Sequence, residues 1–263
     1  MDIPHPLPGK AKPMNAETRI IRLEPNGPTG SGLKPMVLDA SDFQSAVPRQ
    51  NVHIYFSDPA LGMNVGVWDT TSMQEVFGPY PGDEFIVVLE GAFAMIDGLG
   101  RGVPAHKGQS VVFRNGAPVS WMQPGYLRKF FITVRHANAP GPQINDGRAG
   151  IVVLEPDVTL TDVDETTWSA CGARQRDRVI FTNDAGTMSV GLWDTGTMTS
   201  ELYAFPRHEF VQVLEGTVEI HTADGSVETF GPGDAFFIPQ GTHTRWHVPS
   251  YLRKYYVAVT PAA

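Results

Sequence analysis

An internal repeat constrains this chain more than any other feature of its sequence. Three segments recur at an offset of 125 residues: NVGVWDT (64–70) as SVGLWDT (189–195), DEFIVVLEG (83–91) as HEFVQVLEG (208–216), and PGYLRKFFITV (124–134) as PSYLRKYYVAV (249–259). A gapless alignment of 64–134 with 189–259 gives 23 identities in 71 positions. A repeat of this length predicts two domains with the same fold.

The boundary between the two domains is predicted from a change in composition. The segment HANAPGPQINDG (136–147) is rich in Pro, Gly and Asn, as linkers are. We therefore expect one domain over residues 1–140 and the other over 141–263. IIRLEP (20–25) resembles IVVLEP (151–156), so each half is expected to carry its own outer strand, and residues 1–19 are expected to form a Pro-rich arm.

The local pattern within each half favours strands. Short segments rich in Val, Phe and Ile, such as EFIVVLEG and EFVQVLEG, alternate with turns that contain Gly or Pro, and the chain has 27 Gly and 22 Pro. Many short strands at close spacing predict an all-β protein that forms a closed barrel or jelly roll in each half.

Charge and hydropathy exclude several classes of partner. The formal net charge is −8 and the sequence pI is about 5.4, so the acidic surface repels nucleic acid. The sequence has no apolar run of about 18 residues, which argues against a membrane partner. Its first residues show no apolar secretion signal, and Cys171 is the only cysteine, so a cytoplasmic location is expected.

Two motifs carry a resemblance to a known family. Glu209 and Gly216 are separated by six residues, and GPGDAFFIPQG (231–241) contains Gly-(five residues)-Pro-x-Gly. Together they resemble the two sequence motifs of the cupin superfamily, and the longer pattern of the second half resembles its type-3, EutQ-like branch. The resemblance implies two tandem cupin barrels, each a double-stranded β-helix or jelly roll, in a bicupin.

The resemblance carries over only part of the metal site of this family. In metal-binding cupins the motifs provide three histidines and one glutamate. The glutamate falls on Glu209, but the histidine positions fall near Tyr203 and Phe205 and on Thr244. One carboxylate does not hold a transition metal, for which three or four ligands are usual.

Two interpretations of the remaining histidines stay open. A rearranged site with Glu209, His243 and His247 as ligands would hold one divalent metal (Mn, Fe, Zn or Ni), and the alternative is that the chain has no metal cofactor. Side chains alternate between the two faces of a strand, so His243 and His247 point out of the barrel if Thr244 points in.

A repeated carboxylate and a repeated Arg-Lys couple make a second candidate site. Glu84 and Glu209 occupy equivalent positions, as do Arg128-Lys129 and Arg253-Lys254. A carboxylate that faces a barrel interior must be paired, so each glutamate is predicted to pair with the inward-facing member of the nearby couple. The pair is either structural or a site where the cation holds a substrate carboxylate.

The second half is predicted to hold the functional pocket. Its candidate catalytic residues are Glu209, Tyr203 and His243, and its candidate substrate-binding residues are Trp246, Thr244, Arg253 and Lys254. The EutQ-like resemblance implies an enzyme that acts on a small polar nitrogen compound. The alternatives are a metal-free binding or sensing module and a structural protein, with the chain either monomeric or a homodimer and a small molecule as its ligand.

Overall fold

The fold was analysed in a computed structural model, which describes residues 19–135, 150–163 and 173–260. The prediction of an all-β protein is confirmed, because strands dominate and the helical elements of these residues are two 3-10 turns, Pro28–Gly30 and Ala40–Asp42. No helix among these residues is long and apolar enough to cross a membrane. The predicted arm (1–19, apart from Arg19), the linker (136–147) and Cys171 lie outside the described residues.

The first thirteen strands begin ahead of the first repeat and extend just beyond it. They are β1 (Ile21–Leu23), β2 (Lys34–Pro35), β3 (Gln50–Asp58), β4 (Met63–Thr70), β5 (Met73–Gln74), β6 (Gly78–Pro79), β7 (Asp83–Glu90), β8 (Ala92–Ile96), β9 (Gly102–His106), β10 (Ser110–Phe113), β11 (Pro118–Gln123), β12 (Leu127–Val134) and β13 (Ile151–Val153). A seven-stranded sheet has the order β13-β10-β7-β12-β4-β3-β2. A second sheet has the order β5-β11-β8-β9, with β6 also paired to β11.

The remaining strands repeat this pattern. They are β14 (Thr161–Asp162), β15 (Gln175–Thr182), β16 (Met188–Thr195), β17 (Met198–Thr199), β18 (Tyr203–Ala204), β19 (His208–Gly216), β20 (Val218–Thr222), β21 (Val227–Phe230), β22 (Ala235–Ile238), β23 (His243–Val248) and β24 (Leu252–Val259). The seven-stranded sheet has the order β1-β22-β19-β24-β16-β15-β14, and the second has the order β17-β23-β20-β21, with β18 also paired to β23.

The two halves exchange their outer strands. Strand β1 pairs with β22 of the second repeat, with Ile21 opposite Phe237, and β13 pairs with β10 of the first repeat, with Ile151 opposite Phe113. The compact units therefore contain residues 24–135 with 150–154, and 19–23 with 155–163 and 173–260. The prediction that each half carries its own outer strand is wrong, and a division near residue 140 assigns both strands to the wrong unit.

Each unit encloses its own apolar core between its two sheets. In the second unit the core joins Val211 and Phe236 of the larger sheet to Ile220 and Trp246 of the smaller one, and all four are almost inaccessible to solvent. Buried Ile20, beside β1, belongs to the same core. Burial of apolar surface on the facing sides of two sheets is the main stabilising contribution of such a fold.

The last glycine of the first motif has a steric role in both repeats. Gly91 and Gly216 have φ of 82° and 76°, a conformation that side chains other than glycine rarely adopt. A Cβ on Gly216 would lie 1.8 Å from the carbonyl oxygen of Tyr251, and one on Gly91 would lie 2.1 Å from that of Tyr126. The close approach lets the turn after β7 or β19 pack against the start of the neighbouring strand.

Candidate functional site

Strand alternation brings one face of β19, β23 and β24 into the interior of the second barrel. Glu209 and Lys254 project from the larger sheet, and Trp246 and Thr244 project from the smaller one. Along β23 the residues between them are more exposed, which is the period-two pattern of a strand with one buried face. The geometry of the site follows from this alternation.

A buried ion triad lies on the interior face. Lys254 Nζ donates to Glu209 Oε1 at 2.5 Å, and Arg207 donates from Nε and Nη2 to Glu209 Oε2 at 3.0 and 2.8 Å. Glu209 is fully buried, Lys254 is 5% exposed, and the Arg207 side chain is 29% exposed. Both oxygens of the carboxylate are therefore engaged by cations.

The pKa values of Glu209 and Lys254 are both lowered within this triad. Burial raises the pKa of Glu209, but the charges and hydrogen bonds of Lys254 and Arg207 outweigh it and hold the pKa below its ordinary value. Burial lowers the pKa of Lys254, and Arg207 lowers it further, against the opposing attraction of Glu209. The carboxylate is therefore ionised, and the ammonium group loses its proton more readily than an exposed lysine does.

A cavity of about 220 Å³ opens against this triad. Its lining combines aromatic, apolar and charged side chains: Val163, Asp177, Trp193, Met198, Arg207, Trp246, Lys254 and Tyr256. Lys254 Nζ lies 4.4 Å from the ring centroid of Trp246 and 4.9 Å from that of Trp193. An apolar cavity of about 150 Å³ binds benzene, so this one has room for a slightly larger molecule.

Asp177 and Tyr256 form a second polar pair at the cavity. The Tyr256 hydroxyl donates to Asp177 Oδ2 at 3.2 Å, and the backbone of Arg178 hydrogen-bonds to the same carboxyl group. Burial raises the pKa of Asp177, and it also raises the pKa of Tyr256. Asp177 therefore adds a carboxyl group, held by Tyr256, to the lining of the cavity.

Trp246 of the second barrel carries a buried polar atom without a hydrogen-bond partner in the described structure. Its Nε1 is buried and has no acceptor within the described part of the chain. The equivalent Trp121 of the first barrel donates from Nε1 to Gln123 Oε1 at 2.8 Å, and the residue equivalent to Gln123 is Val248. An unsatisfied buried donor is costly, and Val248 cannot remove this cost as Gln123 does in the first barrel.

The first barrel contains the same ion pair in a different setting. Lys129 Nζ donates to Glu84 Oε1 at 2.6 Å, and the hydroxyl of Tyr80, rather than an arginine, donates to Glu84 Oε2. Its interior is filled by aromatic packing: Phe93 stacks on Trp121 with ring centroids 4.1 Å apart. The pair is thus a feature of both barrels, and each has an arginine nearby: Arg207 hydrogen-bonds to Glu209, and Arg135 acts on Glu84 through its charge.

The structure confirms part of the sequence-based prediction of the site. Lysine is the inward-facing member of each Arg-Lys couple and pairs with the repeated glutamate. Arg253, which was also predicted to bind substrate, lies outside the lining of the cavity and binds the Asp194 carboxylate at 3.2 Å. Lys254 and Trp246 do line the cavity.

The other predicted residues are divided between the two faces of the strands. Thr244 is fully buried, and its Oγ1 has no partner among the described groups. Tyr203 pairs with it across β18 and β23, is partly buried and stacks on Phe205 with centroids 6.1 Å apart. His243 is exposed, so the structure gives no support to its assignment as a catalytic residue of this cavity.

The rearranged metal site is not assembled. Glu209 lies inside the barrel and is held by Lys254 and Arg207, whereas His243 is exposed and His247 Nδ1 lies 2.8 Å from Thr199 Oγ1. No cluster of three His, Cys, Asp or Glu side chains with metal-binding geometry occurs within residues 19–135, 150–163 and 173–260. These residues do not fit a divalent metal, because the one motif glutamate is already saturated by two cations.

Sequence analysis missed three polar residues of the cavity, although the repeat contained the signal. Asp177, Arg207 and Tyr256 align with residues that lack their polar groups, at positions 52, 82 and 131. Those three positions hold Val52, Gly82 and Phe131. A search for substitutions by polar residues between the two halves would have found all three, whereas a search restricted to the metal-ligand positions of the family did not.

Comparison with known sequences identifies the second barrel. Residues 182–256 match the EutQ-like cupin domain, which spans most of the second repeat. No functionally curated protein matches the chain. The chain therefore carries a EutQ-like cupin domain, and the repeat gives the first barrel the same strand order.

Several solved structures match most of this chain. A protein of unknown function from Pseudomonas syringae pv. tomato, of the DUF861 family, has a TM-score of 0.72 at 23% identity, over 92% of this chain and 100% of the other. Protein YlbA of E. coli has a TM-score of 0.54 at 12% identity, over 92% and 91%. A cupin 2 conserved barrel protein from Leptotrichia buccalis has 0.55 at 10%, over 86% and 96%. These likenesses show the fold.

Proposed function

We propose that the second barrel binds a small polar metabolite in its cavity and does so without a metal ion. The observation that carries this proposal is the cavity of about 220 Å³, which joins the charged side chains of Asp177, Arg207 and Lys254 to aromatic rings. A carboxylate accepts hydrogen bonds, and an ammonium and a guanidinium group donate them, so a ligand with both kinds of group would pair with this lining. The apolar walls are typical of small-molecule pockets.

The first barrel serves as a scaffold in this proposal. At the positions of the three added polar residues it has Val52, Gly82 and Phe131, which present no hydrogen-bonding side-chain group to the interior. Its tryptophan donor is already satisfied by Gln123. The two barrels therefore share a stabilising ion pair, and the second adds Asp177, Arg207 and Tyr256 to the lining of its cavity.

A catalytic function is the second candidate. Asp177 favours it, because burial raises the pKa of this carboxyl and so suits it to proton transfer nearer neutral pH. In that case the protein would be an enzyme of small nitrogen-compound metabolism, as the sequence resemblance implies. Without turnover the same cavity would act as a binding or sensing module.

The proposal is tested with a variant that gives the second barrel the residues of the first: Asp177→Val, Arg207→Gly and Tyr256→Phe combined. Fragments of up to about 12 non-hydrogen atoms, a size that about 220 Å³ can hold, would be screened by saturation-transfer NMR against both proteins. We expect fragments that compete with one another for the wild type and do not bind the variant. A screen in which no fragment prefers the wild type would refute the proposal.

A further inference from the structure

The amino group of Lys254 lies between a buried carboxylate and the wall of the cavity. Its Nζ donates to Glu209 Oε1 at 2.5 Å, and Glu209 is not part of the cavity lining. The rings of Trp246, Trp193 and Tyr256 have their centroids 4.4, 4.9 and 6.0 Å from the same atom, and all three line the cavity. The nitrogen is therefore bounded by one carboxylate and by side chains of the lining.

The surroundings of Lys254 favour the neutral amine more than bulk water does. An ammonium group has three N–H donors, and Glu209 is the one hydrogen-bond acceptor of Nζ in the described structure. Glu209 also accepts two hydrogen bonds from Arg207, so its charge is shared between two cations. Burial and the charge of Arg207 lower the pKa of Lys254 against the attraction of Glu209. A lysine in such an environment is a better nucleophile than an exposed one.

Asp177 places a carboxyl group near this amine. It lines the same cavity, and the charges of Asp177 and Lys254 each act on the pKa of the other. The hydroxyl of Tyr256 holds Asp177 Oδ2 at 3.2 Å. Burial raises the pKa of Asp177, which suits the carboxyl to taking up and releasing a proton nearer neutral pH. An amine and an acid–base group in one lining are the two groups that condensation with a carbonyl compound requires.

We propose that Lys254 is a nucleophile that forms an imine with a small aldehyde in the cavity. The inference goes beyond the proposed function and rests on it, because the aldehyde must occupy the same cavity. The volume of about 220 Å³ limits the aldehyde to about the size of one ring. The aromatic rings of the lining would pack against its apolar part.

The proton balance of this reaction closes within the cavity. Asp177 takes one proton from the ammonium group of Lys254, and the free amine attacks the carbonyl carbon. A second proton passes from the nitrogen to the former carbonyl oxygen, which gives a neutral carbinolamine. Asp177 returns its proton to the hydroxyl group, which leaves as water while the C=N bond forms. The product is a protonated imine, so the total charge is unchanged and neither an oxidant nor a reductant is needed.

The buried ion triad survives this reaction. A protonated imine keeps the positive charge of Lys254 and one N–H group, which can donate to Glu209 Oε1. Arg207 continues to hold the other oxygen of the carboxylate. Breaking a buried ion pair is strongly destabilising, and a product that keeps the charge avoids this cost.

Reductive trapping tests the inference. The whole chain would be incubated at neutral pH with propionaldehyde or benzaldehyde and with cyanoborohydride, which reduces an imine to a stable secondary amine. Peptide mapping by mass spectrometry then gives the rate of labelling at each lysine. We expect Lys254 to be labelled at least about tenfold faster than the exposed Lys34 and Lys107, because it combines a favoured neutral amine with an acid–base group.

Lys129 of the first barrel is the internal control for the cavity. It forms the equivalent ion pair with Glu84 and lies among the rings of Trp68 and Trp121, but it does not line the cavity. It should be labelled more slowly than Lys254 in the folded protein and at a similar rate in urea.

Asp177→Asn separates the acid–base group from the amine. The variant keeps Lys254 and removes the carboxyl, so labelling of Lys254 should slow by at least about tenfold. Labelling of Lys34 in the same sample should not change. A purely structural role of Asp177 would leave the ratio of the two rates as it is in the wild type.

The outcomes separate the imine from the cavity itself. Labelling of Lys254 no faster than that of Lys34 and Lys107, or no faster than that of Lys129, would overturn the inference. Fragments that still prefer the wild type to the triple variant described above would then leave the cavity proposal standing, whereas a failed screen would remove both. Equal rates in Asp177→Asn and the wild type would overturn the assigned proton transfer. Selective labelling of Lys254 that requires Asp177 would establish the inference.

Discussion

Lys254 and Glu209 form a buried ion pair of 2.5 Å, and Lys129 and Glu84 form the equivalent pair of 2.6 Å in the first barrel. Each pair joins two neighbouring strands of the larger sheet across the interior face. What differs is the second partner of the glutamate, which is Arg207 in one barrel and Tyr80 in the other. The second oxygen of the carboxylate thus accepts from a cation in the second barrel and from a neutral hydroxyl in the first, where Arg135 acts on Glu84 through its charge alone.

This difference predicts unequal costs of removing the lysine. In Lys129→Met the Glu84 carboxylate keeps a hydrogen bond from the neutral Tyr80 and the weaker attraction of Arg135, and breaking a buried pair in this way costs about 3–5 kcal/mol. In Lys254→Met the Glu209 carboxylate keeps Arg207, so we expect a cost smaller by about 1–2 kcal/mol. Urea unfolding monitored by circular dichroism would compare the two variants.

A double variant is the control for this prediction. Glu84→Gln combined with Lys129→Met removes both charges, so it should recover part of the stability lost in Lys129→Met. Equal losses in Lys129→Met and Lys254→Met would show that Arg207 does not substitute for the lysine.

Sequence reasoning reached the architecture and the pairing but not the whole site. The repeat predicts the two barrels. Strand alternation predicts the inward-facing lysines and the outward-facing His243, because it can be recognised within a short segment of sequence. The exchange of β1 and β13 could not be predicted, because IIRLEP and IVVLEP are nearly equivalent and either can add to the edge of either sheet. The unsatisfied indole of Trp246 depends on the side chain two residues along β23, which only the barrel interior reveals.

Because the outer strands are exchanged, we expect equivalent substitutions of Ile20 and Ile151 each to destabilise the barrel of the other half of the sequence. Ile20 and Ile151 occupy equivalent positions in the repeat, and both are buried, but Ile20 packs in the core of the second barrel and Ile151 in that of the first. Ile20→Asp places a charge in an apolar core, so we expect about 3 kcal/mol or more of destabilisation of the second barrel. Hydrogen exchange with mass spectrometry would show loss of protection in β22 and β19.

The matched variant distinguishes exchange from a sequential arrangement. Ile151→Asp should reduce protection in β10 and β7 and leave β22 protected. If each half kept its own outer strand, Ile20→Asp would instead act on β10, and this pattern would contradict the exchange.

A partly buried carboxyl in the first barrel predicts pH-dependent stability. Burial, together with the charges of Glu84 and Asp42, raises the pKa of Glu75 to about 7 against the opposing effect of Lys129. Its folded pKa is above its ordinary value of 4.5, so the stabilisation is fully present below pH 4.5 and is lost as pH rises through about 7. Glu75→Gln removes this loss and should be more stable than wild type at pH 8, by at most about 3 kcal/mol.

The measurement is the urea midpoint of both proteins between about pH 4.5 and pH 8, the interval set by this shift. Glu90→Gln, which changes an exposed residue at the end of β7, is the control and should not alter the pH dependence. A constant difference between Glu75→Gln and wild type over this range would show that Glu75 does not titrate there.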